Sequence, residues 1–189
     1  MRTQIYPQEL VLEDYGVKLK RLTHDKIELL RQWRNDPKIQ RYMLYREYIT
    51  PEMQEKWFQK INNDRNFYFI IEYDGKEVGC VNIKDIDYNK KCGECGVLIY
   101  DDAYLCTDLA YRAHLVMCDY IYNVCKLDYT YSHVLLDNRR AIRFAEYLGF
   151  KEDKMFSKDK CVFYRITAKE YLSNHNREHF IKRWEHLHK

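Results

Sequence analysis

The hydrophobic pattern changes its period once in the middle of the chain, and this change restricts the chain to folds that combine strands with helices. Residues 67–71 are aromatic or β-branched, as strand residues usually are. Asp74-Gly75 is a typical hairpin turn, and strand-like residues return at 78–83 and 94–100. From Thr107 to Cys125 the apolar side chains recur at helical spacing instead. The pattern predicts a three-stranded meander followed by a long amphipathic helix.

Strands and helices are also predicted on both sides of this central part. Residues 17–22 alternate apolar with basic side chains, which predicts a strand, and Thr50-Pro51 is a typical helix start. The other predicted elements are a helix over 27–36, strands over 127–136, 151–156 and 161–167, a helix over 138–148 closed by Gly149, and a helix from Thr167 to Leu187. The first 14 residues show no period and predict a loose lead-in. We predict one α/β (α+β) domain, with a mixed sheet of about seven strands flanked by helices and an extra C-terminal helix.

Composition excludes several classes of protein. The 189 residues are 46% hydrophobic and 32% charged, which is typical of a folded domain and not of a disordered chain. No window approaches the roughly 20 apolar residues of a membrane span. The first residues lack the apolar core of a signal peptide, so we expect a cytoplasmic protein that does not bind membranes. A net charge of +3 is too small to indicate a nucleic-acid partner.

Positive charge is nevertheless concentrated in one segment. Residues 18–46 contain nine Lys or Arg residues and three Asp or Glu residues. A solvated helix face explains such a segment, and so does a site for an anionic ligand such as a nucleotide phosphate.

The seven cysteines do not indicate a metal site. Cys92-Gly-Glu-Cys95 has the C-x-x-C spacing, but a zinc ribbon needs a second pair at similar spacing, and the sequence has none. His175 and His179 lie four residues apart without the Glu of a zinc-protease motif. We expect reduced thiols and no bound metal.

Three passages together carry a resemblance to a known family. Residues 138–150, Asn-Arg-Arg-Ala-Ile-Arg-Phe-Ala-Glu-Tyr-Leu-Gly-Phe, resemble the signature N-x-x-(A/S)-I-x-x-x-x-x-L-G-F. The other two passages are residues 18–37 and the strand at Gly96–Ile99. Together the three passages make residues 17–167 resemble the GNAT superfamily of acyl-CoA-dependent N-acetyltransferases. The resemblance implies a GNAT-like acetyltransferase domain at 1–167, with 168–189 as a helical extension of the same domain.

The resemblance also implies where acetyl-CoA binds. In this family the central strand separates from its neighbour, and its free backbone groups hold the pantetheine arm of the cofactor. The resemblance therefore assigns Val97, Leu98 and Ile99 to that arm, with the Leu98 N–H polarising the thioester carbonyl. Asn138 and Phe144 of the following helix are assigned to the cofactor as well. The pyrophosphate loop (Q/R)-x-x-G-x-(G/A) aligns with Leu105, Cys106, Thr107, Asp108, Leu109 and Ala110.

Two of these loop positions depart from the family pattern. Leu105 replaces the polar first residue, and Asp108 replaces the central glycine with a side chain whose charge repels phosphate. Backbone N–H groups bind the pyrophosphate in this family, and every residue here supplies one. A non-catalytic GNAT-shaped binding module therefore stays open as an alternative.

The catalytic groups follow from the same resemblance. Glu94 begins the central strand and is the first candidate for the general base, ahead of Asp101 and Asp102. Asn138 is the second catalytic candidate, because it matches the family position that hydrogen-bonds the pantetheine arm or a bound water. Ala145 occupies the position of the tyrosine that acts as the general acid in many members, so water is expected to protonate the thiolate.

The acceptor is predicted from a further likeness. Residues 33–37, with Ile49–Glu52 and Trp57-Phe58, resemble the branch that acetylates amino sugars on nucleotides. This implies a small-molecule amine acceptor and no nucleic-acid partner, with the protein a monomer or a homodimer. The acceptor site is assigned to Trp33, Arg34, Asn35, Tyr42 and Tyr45, whose guanidinium and aromatic rings suit a diphosphate and a base or sugar. Acetylation of a protein N-terminus, as in the neighbouring ribosomal-protein branch, is the alternative.

Overall fold

The computed structural model describes residues 9–157 and 160–188. Its strands are β1 (Val11–Asp14), β2 (Val17–Arg21), β3 (Phe67–Tyr73), β4 (Lys76–Asp87), β5 (Cys92–Ile99), β6 (Tyr129–Leu135), β7 (Lys151–Glu152) and β8 (Cys161–Thr167). Its helices are α1 (Ile27–Asn35), α2 (Pro37–Gln40), α3 (Pro51–Ile61), α4 (Leu109–Asn123), α5 (Arg139–Tyr147), α6 (Ala168–Leu172) and α7 (His175–Leu187). Residues 1–8 of the predicted lead-in and 158–159 in the predicted last turn lie outside the described residues.

The eight strands form one mixed sheet in the order β1-β2-β3-β4-β5-β6-β8-β7. Every neighbouring pair is antiparallel except β5 and β6, which are parallel. The predicted mixed sheet with flanking helices is confirmed, with one more strand than the seven expected. The additional strand is β1, so the prediction of a lead-in over all of the first 14 residues is wrong. Its four residues lie on the sheet edge with both faces largely exposed, which explains why they show no hydrophobic alternation.

Two hydrophobic clusters cover the two faces of the sheet. The larger cluster packs α4 against the strands, and eight consecutive residues of α4, Tyr111–Cys118, are buried. The smaller cluster packs α1 and α3 through Leu30, Trp33 and Phe58 against Ile70 and Cys80. Helices therefore cover both faces, which is why three successive residues of β3, Phe69–Ile71, are all buried.

The sheet opens between its two parallel strands. Only residues 92–94 of β5 pair with β6, opposite residues 129–131. Beyond Glu94, β5 stays paired with β4 alone, while β6 stays paired with β8 alone. The strands therefore diverge and leave one edge of β5 at Val97–Ile99 without a strand partner among the described residues.

The C-terminal segment forms two helices, so the prediction of one continuous helix to Leu187 is wrong. Asn174 has extended backbone angles between α6 and α7, and its side chain accepts a hydrogen bond from the Arg177 N–H as the N-cap of α7. The buried Tyr171 donates a hydrogen bond to the Asp119 carboxylate at 2.9 Å, and Arg177 donates to the same oxygen at 2.8 Å. These contacts join both helices to α4.

The last hairpin is shorter than predicted. Strand β7 contains only Lys151 and Glu152, because the chain turns at residues 154–156, and the prediction of a strand to Phe156 is wrong.

Residues 9–157 and 160–188 contain neither a helix that could span a membrane nor a side-chain cluster that could hold a metal ion. None of the helices there combines the length and the apolar character that a membrane crossing requires. No group of three His, Cys, Asp or Glu residues there is arranged to hold a metal ion. Cys92 and Cys95 are buried, and burial raises the pKa of Cys95 to about 12, so this thiol stays protonated.

Candidate active site

A cavity of about 1000 Å³ lies where β5 and β6 diverge. Its wall takes residues from both faces of the sheet: Trp57 and Tyr68 on the α1–α3 side, and Tyr111 and Phe144 on the α4–α5 side. One cavity can therefore receive two molecules that approach from opposite faces. The strand between them is β5, whose residues Val97–Ile99 line the wall.

The N-terminus of α4 opens into this cavity and has free backbone donors. The Arg112 N–H donates to the Asp108 carbonyl, and the Leu109 N–H donates to the Thr107 hydroxyl. The N–H groups of Ala110 and Tyr111 have no partner in the described part of the chain. Unpaired N–H groups at the start of a 15-residue helix form an anion-binding position.

The side chain of Asp108 does not occupy these donors. It makes no cap, and its carboxylate accepts a hydrogen bond from the Arg112 Nε at 3.0 Å. The Arg112 guanidinium is buried, donates to the Tyr15 carbonyl and lies 4.7 Å from the centre of the Tyr73 ring. The negative charge of Asp108, which was predicted to repel phosphate, is therefore paired with the guanidinium group of Arg112, which its buried contacts hold in place.

Helix α5 supplies the far wall. The Asn138 Oδ1 accepts a hydrogen bond from the Ala141 N–H at 3.1 Å and caps the helix, while Asn138 also lines the cavity. Phe144 lines the cavity one and a half turns later and packs edge-on against His114. Ala145 is buried at the position of the expected acid. Tyr147 is exposed and packs against Tyr111.

Glu94 stands at the point where the strands separate. Its side chain is 14% exposed; Oε2 lies 3.1 Å from the Lys84 Nζ, and Oε1 lies 3.3 Å from the His133 Nδ1. Lys84 and His133 also line the cavity, although neither was predicted from the sequence. The two other acidic candidates lie outside its wall: Asp101 caps the turn that follows β5, and Asp102 pairs with Lys38.

The predicted acceptor residues separate into two groups. Arg34, Tyr42 and Tyr45 line the cavity. Trp33 is buried beneath it and stacks on Tyr100 with 5.3 Å between ring centres. Asn35 exchanges two hydrogen bonds of 2.8 Å with the backbone of Ile49, which holds the segment between α2 and α3 in place.

The predicted loop residues separate in the same way. Leu105, Thr107, Asp108 and Ala110 line the cavity, whereas Leu109 is fully buried beneath it and Cys106 is exposed outside it.

A buried histidine also faces the cavity and was not predicted. His114 is 2% exposed, its Nε2 lies 3.2 Å from the Cys118 Sγ, and its Nδ1 has no partner in the described part of the chain. Burial lowers the pKa of His114 to about 4, so the ring is neutral near pH 7. A sequence pattern gives no sign of this, because a histidine inside an apolar helix face looks like an ordinary core residue.

Comparison with known proteins identifies the family. Residues 17–151 match the family model of the acetyltransferase (GNAT) domain, which is more than half of the chain. The chain belongs to the GNAT acetyltransferase family. It is thereby an acyl-CoA-dependent N-acetyltransferase, and acetyl-CoA is its co-substrate.

Two curated relatives and one solved structure illustrate the range of similar GNAT proteins. Spermidine N(1)-acetyltransferase of Escherichia coli (strain K12) is 27% identical over 137 residues, which span 72% of this chain and 73% of that protein. Acetyltransferase PseH of Campylobacter jejuni (strain 81-176) is 27% identical over 161 residues, 82% of this chain and 94% of that protein. The crystal structure of spermidine N-acetyltransferase from Vibrio cholerae in complex with CoA and spermine superposes with a TM-score of 0.76 at 19% identity, covering 85% of this chain and 100% of that one.

Proposed function

We propose that this GNAT enzyme transfers the acetyl group of acetyl-CoA to the primary amine of an amino sugar carried on a nucleotide. The charge of the cavity wall supports this acceptor. Arg34 and Arg140 line the wall, and neither forms an ion pair within the described residues. The carboxylates in that wall are Glu94 and Asp108, and each is already paired with a cation.

This charge distribution favours a nucleotide-linked amino sugar over a polyamine such as spermidine, for which several similar proteins are named. A polyamine is a polycation, so a site for it needs unpaired carboxylates. Two unpaired guanidinium groups instead repel a polyamine and attract phosphate, which arginine binds through two parallel hydrogen bonds.

Aromatic rings near these arginines suit the sugar or the base of such an acceptor. The guanidinium groups of Arg41 and Arg140 lie 4.6 Å and 5.7 Å from the centre of the Tyr42 ring. Tyr45 is 44% exposed beside it, and Trp57 completes this side of the wall. Exposed aromatic faces bind sugars and bases by stacking.

The described residues also fit acetyl-CoA. The N–H groups of Ala110 and Tyr111 would bind the pyrophosphate, and the unpaired edge of β5 at Val97–Ile99 would bind the pantetheine arm. Asn138 and Phe144 would contact the same arm from α5. When bound, acetyl-CoA supplies the activated acyl carbon. The backbone at Leu98 would hold the thioester carbonyl in place at the opening.

The test compares acceptors by the release of CoA thiol. We expect kcat/KM for a nucleotide-linked amino sugar to exceed that for the free amino sugar by about 100-fold, because hydrogen bonds to charged groups contribute about 1.5–3 kcal/mol. Arg34→Gln should raise the KM for the nucleotide sugar about tenfold. Arg139→Gln is the matched control, since Arg139 is exposed on α5 outside the cavity wall. Preferred turnover of spermidine, or of a peptide with a free N-terminus, would refute the acceptor assignment.

A further inference from the structure

A histidine and a glutamate meet at the point where the two parallel strands separate. The last pair between β5 and β6 is Glu94 with Tyr131. Side chains alternate along a strand, so His133 follows Tyr131 on the same face of β6, one step further into the opening. Its Nδ1 lies 3.3 Å from the Glu94 Oε1, and both residues line the cavity.

Glu94 is poorly suited to accept a proton itself. One carboxylate oxygen faces the Lys84 ammonium at 3.1 Å and the other faces the His133 ring, with the side chain only 14% exposed. Both carboxylate oxygens are therefore already engaged, and neither is free to contact the ammonium group of an acceptor.

His133 has the opposite character. Its side chain is 32% exposed, and its Nε2 has no hydrogen-bond partner within residues 9–157 and 160–188. A carboxylate beside Nδ1 favours the tautomer with hydrogen on Nδ1 and leaves the Nε2 lone pair free for an acceptor molecule.

The neighbouring rings fix the orientation of this histidine. Phe163 of β8 packs edge-on against it with 5.1 Å between ring centres, and Tyr131 packs edge-on at 5.9 Å. The titratable or charged groups around the pair are Glu94 from β5, Lys84 from β4 and Tyr131 from β6, whereas β8 supplies only the apolar Phe163 here. Lys84 also lies 3.9 Å from Asp85.

We propose that His133 is the general base of acetyl transfer and that Glu94 is the residue that positions it. An ammonium acceptor carries three N–H hydrogens, and the amide product of a primary amine carries one. His133 Nε2 takes the first proton, which frees the nitrogen lone pair, and then passes that proton to water. The second proton leaves the nitrogen as the C–N bond forms and the C–S bond breaks, and it neutralises the departing thiolate.

This inference rests on acetyl transfer to an amine and not on which amine is used. A direct test therefore reads the tautomer of His133 without any acceptor, by nuclear magnetic resonance of protein labelled with ¹⁵N-histidine. We expect the neutral ring of His133 to carry its hydrogen on Nδ1, with Nε2 unprotonated. The His133→Gly spectrum assigns the signal. A signal with hydrogen on Nε2 would overturn the proposal even if the acceptor is correctly assigned.

Kinetics supply the second test with any amine that the enzyme acetylates. His133→Gly should lower kcat near pH 7 by about 10²–10³-fold, the usual contribution of a general base, with little change in the KM for acetyl-CoA. Added imidazole should restore at least part of the rate, because it can occupy the space that the side chain leaves. Glu94→Gln should retain more activity than His133→Gly and should increase the share of His133 with hydrogen on Nε2 in the ¹⁵N spectrum, because the carboxylate beside Nδ1 is removed.

His24→Gly is the matched control, since His24 also pairs with a glutamate, Glu55, at 2.7 Å, but its side chain is 69% exposed and lies outside the cavity wall. It should leave both the rate and the ¹⁵N signal of His133 unchanged. An enzyme that loses all activity in Glu94→Gln but retains it in His133→Gly would assign the base to Glu94 and overturn the proposal.

Discussion

Gly79 of β4 pairs with Ile99 of β5 and lies close against the β5 backbone, next to the opening between β5 and β6. A methyl group at this position would overlap the Leu98 carbonyl oxygen and stand 3.1 Å from the Ile99 Cα and 3.2 Å from the Leu98 carbonyl carbon. Carbon atoms in contact normally lie about 3.5–4.0 Å apart. In Gly79→Ala, the β5 backbone must therefore move by about 0.5 Å or more, at the residues that would hold the thioester.

Two effects of Gly79→Ala can be measured. Overpacking typically costs about 1–3 kcal/mol. For a chain of this size that free energy corresponds to a fall in Tm of about 2–12 °C. A displacement approaching 1 Å at a reacting position costs about 10²-fold in rate. We expect urea unfolding to show the lower stability, and thiol release to show a lower kcat.

Gly75→Ala provides the control within the same hairpin. Gly75 has a φ of +70°, so alanine is strained there, but no atom lies within 4 Å of the added methyl group. Stability should fall by about 1 kcal/mol without loss of kcat. Wild-type stability together with wild-type kcat in Gly79→Ala would refute the reasoning. Lower stability with unchanged kcat would show that the position of β5 at Leu98 does not limit the reaction.

Three further predictions concern the helices. Asp108→Asn should tighten CoA binding several-fold at low salt in calorimetry, since it leaves the Arg112 charge unpaired beside the phosphate position; unchanged affinity would contradict this. Burial lowers the pKa of His114 to about 4, so as pH falls the unfolded chain protonates this ring before the folded chain does. The free energy of unfolding should therefore fall by up to about 3 kcal/mol between about pH 6.5 and pH 4. His114→Gln should flatten that part of a pH series of unfolding curves. The Lys151 ammonium and the Thr167 cap hold the pKa of Glu170 at about 2, so its contribution to stability is present above about pH 4.5 and is lost as pH falls towards 2. Glu170→Gln should lower Tm near pH 7 and weaken the fall of Tm with decreasing pH. A fall of Tm identical to that of the wild type would contradict this prediction.

Local signals were sufficient for most helices and strands. Thr50 does cap α3 with Pro51 in its first turn, and Thr167 and Glu170 form the predicted capping box. Asp36-Pro37 ends α1 as predicted, yet the same pair starts α2, because proline fits the first turn of a helix. The proline predicted the end of α1 but not the start of a second helix at the same place.

The site is harder to predict because strand pairing brings its members together. Glu94 and His133 are 39 positions apart, and only the parallel register of β5 and β6 places them side by side. Trp33 and Asn35 share a motif with Arg34, but successive helical residues point in different directions. The buried Trp33 packs in the core, Asn35 holds a loop, and Arg34 alone of the three reaches the cavity.

The short parallel seam at residues 92–94 also determines where the folded sheet opens most easily. It joins β5 to β6 through three residues of each strand, whereas β4 with β5 and β6 with β8 are each paired at seven positions. A region with fewer backbone hydrogen bonds opens at a lower free energy than the rest of the structure. We expect native-state hydrogen exchange to give the β5–β6 amides a lower free energy of opening than the amides that join β4 to β5. The opening that receives the substrates thus continues into the part of the sheet that separates first.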